Sequence, residues 1–198
     1  MCQETFELIK AMGINNIEMQ LALQCAPLIA GLKISNLLII PETNEKIFGE
    51  IIEKTDISVY NLLNYRGKAI YLLYREAKII EFLQSEKAKE VFINEGYESL
   101  LLNDILHSFQ KRYEHYRVEG GEFPHEMGLL LGYPVEDVVG FMENDGDNFL
   151  CSGYWKVYDK PQEKQMLFKQ FEYAKESFIR LISCGVSMKE IVRSYSMA

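Results

Sequence analysis

The chain has 198 residues, of which 48% are hydrophobic and 25% charged, a composition that predicts one domain with a buried core over residues 1–198. The formal net charge of −8 argues against a partner held mainly through its phosphates, so neither nucleic acid nor an anionic membrane surface is expected. The four cysteines (Cys2, Cys25, Cys151 and Cys184) form no C-x-x-C pair, and the N-terminus has acids where a signal peptide has bases. The sequence therefore predicts a cytoplasmic protein with free thiols and no membrane span.

The first 41 residues show helical spacing and then a strand-like run. Apolar residues over 6–12 and 17–25 recur with the spacing of helices, and Gly13 and Pro27 are predicted to punctuate them. The short apolar run 35–41 is closed by proline, which suits a buried strand better than a helix.

A short helix and a hairpin are predicted next. Asn44 can cap a helix that runs to about residue 54. The runs 57–63 and 69–74 alternate as strands do and flank Gly67, a pattern typical of an antiparallel hairpin that turns near this glycine.

The pattern becomes helical again from residue 76 until Gly96. Residues 100–116 have one apolar stripe and predict an amphipathic helix, which Gly120 and Gly121 end. A further strand is predicted over residues 149–158.

The C-terminal part is predicted to be helical. Residues 167–181 follow a three-four apolar spacing, and Ser187 and Glu190 form a capping box that begins a last short helix. The predicted fold class is α/β in the α+β sense: a single helix-rich domain with a small mixed sheet of about four strands, including one antiparallel hairpin.

Residues 121–159 are unusually rich in glycine, proline and aromatic residues. The motifs are Phe123-Pro124-His125-Glu126-Met127-Gly128, Leu131-Gly132-Tyr133-Pro134, Glu136-Asp137-Val138, Gly140-Phe141 and Trp155-Lys156-Val157-Tyr158. Together with residues 26–33 and 59–74, they resemble the signature of a family of unknown function from anaerobic Gram-positive bacteria. The resemblance covers most of the chain and implies no reaction, so the cofactor stays unknown and no catalytic residue is carried over.

His125 and Glu126 are the candidate catalytic pair. Pro124 suits the first position of a helix, and a histidine beside a carboxylate at such a helix start can serve as a general acid or base with the carboxylate orienting it. The alternative is a plain helix start whose acid complements the helix dipole.

The candidate ligand-binding residues are Lys33, Asp137, Trp155, Lys156 and Tyr158. An aromatic surface beside a cation can hold a planar anionic molecule. Against this, aromatic residues on strands are more often buried in the core, and lysines are most often solvated.

No metal site is predicted. His107, His115 and His125 lack the spacing of a metal-binding pair, and the acidic run 143–148 lacks the closing glutamate of a calcium loop. That run is interpreted as a turn.

Three functions remain open. The first is binding of a small planar or anionic molecule in a pocket built from residues 123–158, with or without catalysis. The second is a non-enzymatic interaction or regulatory protein, since the sequence has no nucleophile–base pair. The third is a helix-turn-helix DNA reader over residues 125–141, disfavoured because its second helix carries Glu136, Asp137 and Glu143 and no cation.

Overall fold

The computed structural model describes residues 3–13 and 16–196. The chain divides into two compact units: unit 1 comprises residues 1–75 and 169–198, and unit 2 comprises residues 76–168. The expectation of a single domain stays a prediction. Cys25, Cys151 and Cys184 are free thiols, and Cys2 lies outside the described residues.

The described residues form helices and antiparallel strands, 59% of the chain being helical, and the predicted helix-rich α/β class is confirmed. In chain order the elements are α1 (Gln3–Met12), α2 (Ile17–Ile29), β1 (Ser35–Pro41), α3 (Glu45–Ile52), β2 (Ser58–Tyr65), β3 (Lys68–Tyr74), α4 (Glu76–Leu83), α5 (Glu86–Asn94), α6 (Leu102–Glu114), α7 (Met127–Leu130), α8 (Val135–Glu143), β4 (Cys151–Ser152), β5 (Lys156–Val157), α9 (Pro161–Ser183) and α10 (Met188–Ser196). None of these described helices is both long and apolar enough to cross a membrane.

The sheet of unit 1 has the order β1-β3-β2, with both strand pairs antiparallel. Tyr65 pairs with Lys68, so Arg66 and Gly67 form a two-residue loop. Both have positive φ, at 51° and 72°, as the turn type that matches the strand twist requires. The predicted hairpin is confirmed, whereas the strands join a three-stranded sheet and a separate two-stranded ribbon in place of one mixed sheet.

The core of unit 1 is formed by helices α1, α2, α3 and α10, the C-terminal part of α9, and strands β1 and β3. Its fully buried side chains include Met19 and Leu21 of α2 and Phe178 of α9. The carboxylate of Glu18 in α2 accepts the backbone N–H of Met188 at 3.0 Å and so caps the start of α10. The predicted capping box is confirmed, because the Ser187 hydroxyl and backbone N–H both donate to Glu190.

Several predicted elements in unit 2 have different bounds. The helical stretch from residue 76 is two helices, α4 and α5. The amphipathic helix α6 continues into a π-helical turn, His115–Glu119, and ends at Gly120. The predicted strand over residues 149–158 is wrong in length: only β4 and β5 pair, because the chain turns sharply between them.

The helix predicted to start at Pro124 begins at Met127. Residues 125 and 126 form a turn in which the Met127 N–H bonds the Pro124 carbonyl at 3.1 Å. Pro134 occupies the position before α8. The turn points the side chains of His125 and Glu126 into different environments.

Candidate functional site

Unit 2 contains an open cleft with a volume of about 740 Å³. Pro124 and the two residues before it line part of the cleft. His115 of the π-helical turn also lines it. The side chains that line the cleft include those of Glu95, Arg112, Glu122, Phe123, His125 and Asp145. Its size falls within the range of small-molecule sites.

One wall of the cleft is aromatic. The Phe123 ring meets the Tyr116 ring edge to face at 5.1 Å and the His125 ring at 5.4 Å. The His125 ring in turn lies 5.3 Å from the ring of Phe141. Tyr116, Phe123, His125 and Phe141 therefore form a continuous chain of rings, the aromatic wall, of which Phe123 and His125 face the cleft.

Arg112 belongs to an ion network that also includes Glu95, Tyr97 and Glu126. Arg112 Nε is 2.7 Å from Glu126 Oε1, and Nη2 is 2.6 Å from Glu95 Oε2. Nη1 of Arg112 also donates to the backbone carbonyl of Glu95 at 3.0 Å, and Tyr97 donates its hydroxyl to Glu126 Oε1 at 2.8 Å. One guanidinium is thus shared between two carboxylates.

The Glu126 side chain is completely buried, with an exposure of 0%. Its Oε2 atom accepts no hydrogen bond from the residues that the structure describes. Burial, followed by the charge of Glu126, raises the pKa of Tyr97 well above its usual range. Burial alone would lower the pKa of Arg112, but Glu126 and Tyr97 raise it, so the guanidinium is firmly charged.

The two candidate catalytic residues are neighbours in sequence with different surroundings. His125 is exposed and lines the cleft, whereas Glu126 is buried and its described hydrogen bonds go to Tyr97 and Arg112. The predicted acid or base role of His125, with Glu126 orienting it, stays a prediction. Glu126 contacts Arg112, which itself lines the cleft.

Asp137 in α8 is buried, with 2% exposure, and fastens the ribbon β4–β5 to its helix. Its Oδ2 accepts the indole N–H of Trp155 at 2.7 Å. Its Oδ1 accepts the backbone N–H groups of Tyr158 at 2.7 Å and Asp159 at 3.1 Å. Both carboxylate oxygens are therefore committed to the fold.

The other ribbon residues also have partners within unit 2. Trp155 stacks on Tyr133 at 4.7 Å and meets Phe168 edge to face at 4.6 Å. Tyr158 donates its hydroxyl to the carbonyl of Asp147. These contacts explain the density of aromatic residues in this segment as packing, while their predicted ligand role stays a prediction.

Lys156 is held by the loop between α8 and β4. Its ammonium donates to the carbonyl of Gly146 at 2.6 Å. It also lies 5.0 Å from the ring centre of Phe149 and 5.6 Å from that of Phe141, distances at which a cation is attracted to a ring. Lys156 is not among the residues that line the cleft.

Lys33 belongs to unit 1 and follows α2. It is 8% exposed, and its ammonium donates to Asn36 Oδ1 at 2.8 Å. Burial lowers the pKa of Lys33 to about 8, although nearby Cys25 acts in the opposite direction. Asn36 also contacts the thiol of Cys25, whose pKa burial raises to about 12.

Sequence reasoning missed most of the cleft. Glu95 and Tyr97 flank the glycine that was interpreted only as a helix stop, and Arg112 was not singled out on the amphipathic helix. Nothing in their sequence spacing marks them, because Arg112 meets Glu95 from 17 residues away and Tyr97 meets Glu126 from 29 residues away. Among the described residues, no three His, Cys, Asp or Glu side chains come together as a metal site.

The family model described as Protein of unknown function (DUF3793) matches residues 21–192. The chain belongs to this family, as the resemblance to a family of unknown function predicted. No curated protein and no solved structure matches the chain. The motif signature and the bacterial group named above stay predictions.

Proposed function

We propose that this protein binds a small planar molecule in the cleft, against the aromatic wall. The observation that carries the proposal is the exposed face of Phe123, 41% exposed, beside His125 in a cavity of about 740 Å³. A partly exposed ring that is fixed by neighbouring rings offers a stacking surface without a large loss of side-chain entropy.

The arrangement around the cleft supports binding more than scaffolding. Glu126 is desolvated behind the cleft although its Oε2 has no described hydrogen bond, a costly arrangement for a purely structural residue. Buried charges that cost stability cluster at functional sites. His125 could then contact the ligand directly and act on it as an acid or base.

An interaction role is the second candidate, supported by one surface of unit 2. Phe149 and Leu150, just before β4, are 41% and 60% exposed. Adjacent exposed apolar side chains are typical of a protein contact. DNA reading by α7 and α8 is disfavoured, because Glu136 and Glu143 face solvent on α8 and Asp137 is used internally.

The variant His125→Ala tests the proposal, with His107→Ala, an exposed histidine on α6, as the matched control. Native mass spectrometry of protein purified from its own host should show a mass excess that denaturation removes. We expect His125→Ala to lose this excess with an almost unchanged melting temperature, and His107→Ala to keep it.

Two results would contradict the proposal. One is a mass excess that survives in His125→Ala. The other is a bare wild-type mass together with no change in the NMR signals of the cleft residues when planar fragments are added at millimolar concentration. The second result would shift the weight to the interaction role.

A further inference from the structure

We infer that the molecule bound in the cleft is a planar organic cation, such as an aromatic amidinium, a guanidinium or a protonated aromatic amine. This inference rests on the proposed function and names the charge of its ligand. It replaces the expectation of an anionic ligand, which the sequence had suggested from Trp155 and Lys156.

The ion network leaves negative charge at the cleft. Arg112 is shared by Glu95 and Glu126, so one guanidinium faces two carboxylates. Three of its N–H groups are already donated to these two residues, which leaves it poorly placed to hold an anion. An additional anion would also be repelled by the carboxylate charge that is left over.

The outer lining adds to this charge. Glu122 and Asp145 both line the cleft and are both exposed, so each carboxylate can reach a ligand. Lys156 is the predicted anion contact, but its ammonium donates to the carbonyl of Gly146 and lies near the rings of Phe141 and Phe149. Among the described lining residues, Arg112 alone is a lysine or arginine.

The aromatic wall supplies an independent preference of the same sign. The face of an aromatic ring carries negative potential and attracts cations, so Phe123 favours a positive planar group over a negative one. The completely buried Glu126, whose Oε2 has no described hydrogen bond, shares the single charge of Arg112 with Glu95, so the ion network as a whole keeps one negative charge in excess. A planar cation is therefore attracted both by the aromatic wall and by the negative charge of the ion network.

Three isosteric probes separate the charge of the ligand from its shape: benzamidine is cationic, benzamide neutral and benzoate anionic. Each is titrated into the full chain at low salt and followed by the NMR signals of His125 and Phe123. We expect benzamidine to bind roughly tenfold more tightly than benzamide, and benzoate not to bind. The preference should shrink at high salt, which screens exposed charges.

The carboxylates are tested with Asp145→Asn and Glu122→Gln. Each should weaken benzamidine roughly fivefold, as expected for a single partly exposed charge contact, and leave benzamide unchanged. Asp147→Asn is the matched control, because Asp147 is exposed in the same loop and its described hydrogen bonds are made by its backbone N–H and carbonyl. It should leave both affinities unchanged.

The outcomes separate this inference from the proposed function. Binding of benzamide or benzoate in the cleft at least as tight as that of benzamidine would overturn the cationic ligand and leave the planar ligand standing. No cleft signal with any of the three probes would overturn both. Benzamidine affinity that neither Asp145→Asn nor Glu122→Gln reduces would also overturn the inference.

Discussion

The indole N–H of Trp155 donates to Asp137 Oδ2 at 2.7 Å, and this bond ties the ribbon β4–β5 to α8. Asp137 Oδ1 holds the two backbone N–H groups that follow β5. One buried carboxylate therefore fixes the end of β5 and the residue that precedes it. These three hydrogen bonds explain why Asp137, a carboxylate, is buried in the first turn of α8.

Replacing Asp137 with Asn should destabilise the protein by about 2–4 kcal/mol. The amide has only one oxygen, so its NH₂ group would face an N–H donor that now donates to a carboxylate oxygen of Asp137. The measure is the free energy of unfolding in urea. Glu136→Gln is the control, since this neighbouring acid is half exposed and forms a surface ion pair with Lys87, and it should cost less than about 1 kcal/mol. A near-neutral Asp137→Asn would return Asp137 to the candidate ligand contacts.

Removing the hydroxyl of Tyr97 tests the ion network. Tyr97→Phe leaves Glu126 Oε1 with Arg112 as its described partner, and we expect a loss of about 1–3 kcal/mol in the free energy of unfolding. Tyr173→Phe, at a site 75% exposed, should be close to neutral. Equal effects of the two variants would show that the Tyr97 hydroxyl contributes nothing specific.

Gly140 permits the close approach of Tyr158 to α8. A Cβ at position 140 would lie 2.5 Å from Tyr158 Cγ, so Gly140→Ala should cost about 1–3 kcal/mol through overpacking. Gly49→Ala is the matched control, because a Cβ on this helical residue meets nothing within 4 Å. It should stabilise the protein by about 0.5–1 kcal/mol through helix propensity, as measured by urea unfolding. A stabilising Gly140→Ala would contradict the tight packing of Tyr158.

The lowered pKa of Lys33 predicts that the free energy of unfolding rises between pH 8 and 9. The folded pKa is about 8 and the ordinary value 10.5, so in this range the unfolded chain binds more protons. Stability therefore increases with pH, by about 1 kcal/mol over this unit of pH for this group. Compared with the wild type, Lys33→Met should be more stable below pH 8 and should lose this rise.

The raised pKa of Cys25 predicts the opposite change: above pH 9 it lowers the free energy of unfolding as the pH rises. Its folded pKa is about 12 and the ordinary value 9.0, so the unfolded chain releases the proton first and stability falls as the pH rises. Cys25→Ala should remove this fall, although its cavity lowers stability at every pH. Urea unfolding from pH 7 to 10 measures both effects, and parallel curves for wild type and variants would contradict the assignments.

The sequence predicted the local elements of unit 1 well. The apolar run of β1, the turn at Gly67 and the capping box at Ser187 each carry a signal within a few residues. The run 149–158 misled because aromatic residues are enriched in strands, whereas Trp155 is turned towards Asp137 by a hydrogen bond from 18 residues away. Such a tertiary bond leaves no period in the sequence.

The candidate site was only partly predictable. His125, one of the predicted site residues, lines the cleft, and its role stays a prediction. Its neighbour Glu126 was expected to serve beside it, because a helix starting at Pro124 would have placed both in one first turn. The turn that delays α7 to Met127 separates them. Arg112 and Tyr97 come from other elements, and their meeting with Glu126 depends on how those elements pack.

The bond from the Met188 N–H to Glu18 joins residues that are 170 positions apart. Met188 and Ile191 belong to the same buried cluster as Met19 and Leu21, so unit 1 is assembled from both ends of the chain. During synthesis, residues 76–168 leave the ribosome as a continuous stretch, while α2 waits for α10. The core of unit 1 can therefore be completed only after α10 has been synthesised, and until then the apolar face that α2 turns towards α10 lacks this partner.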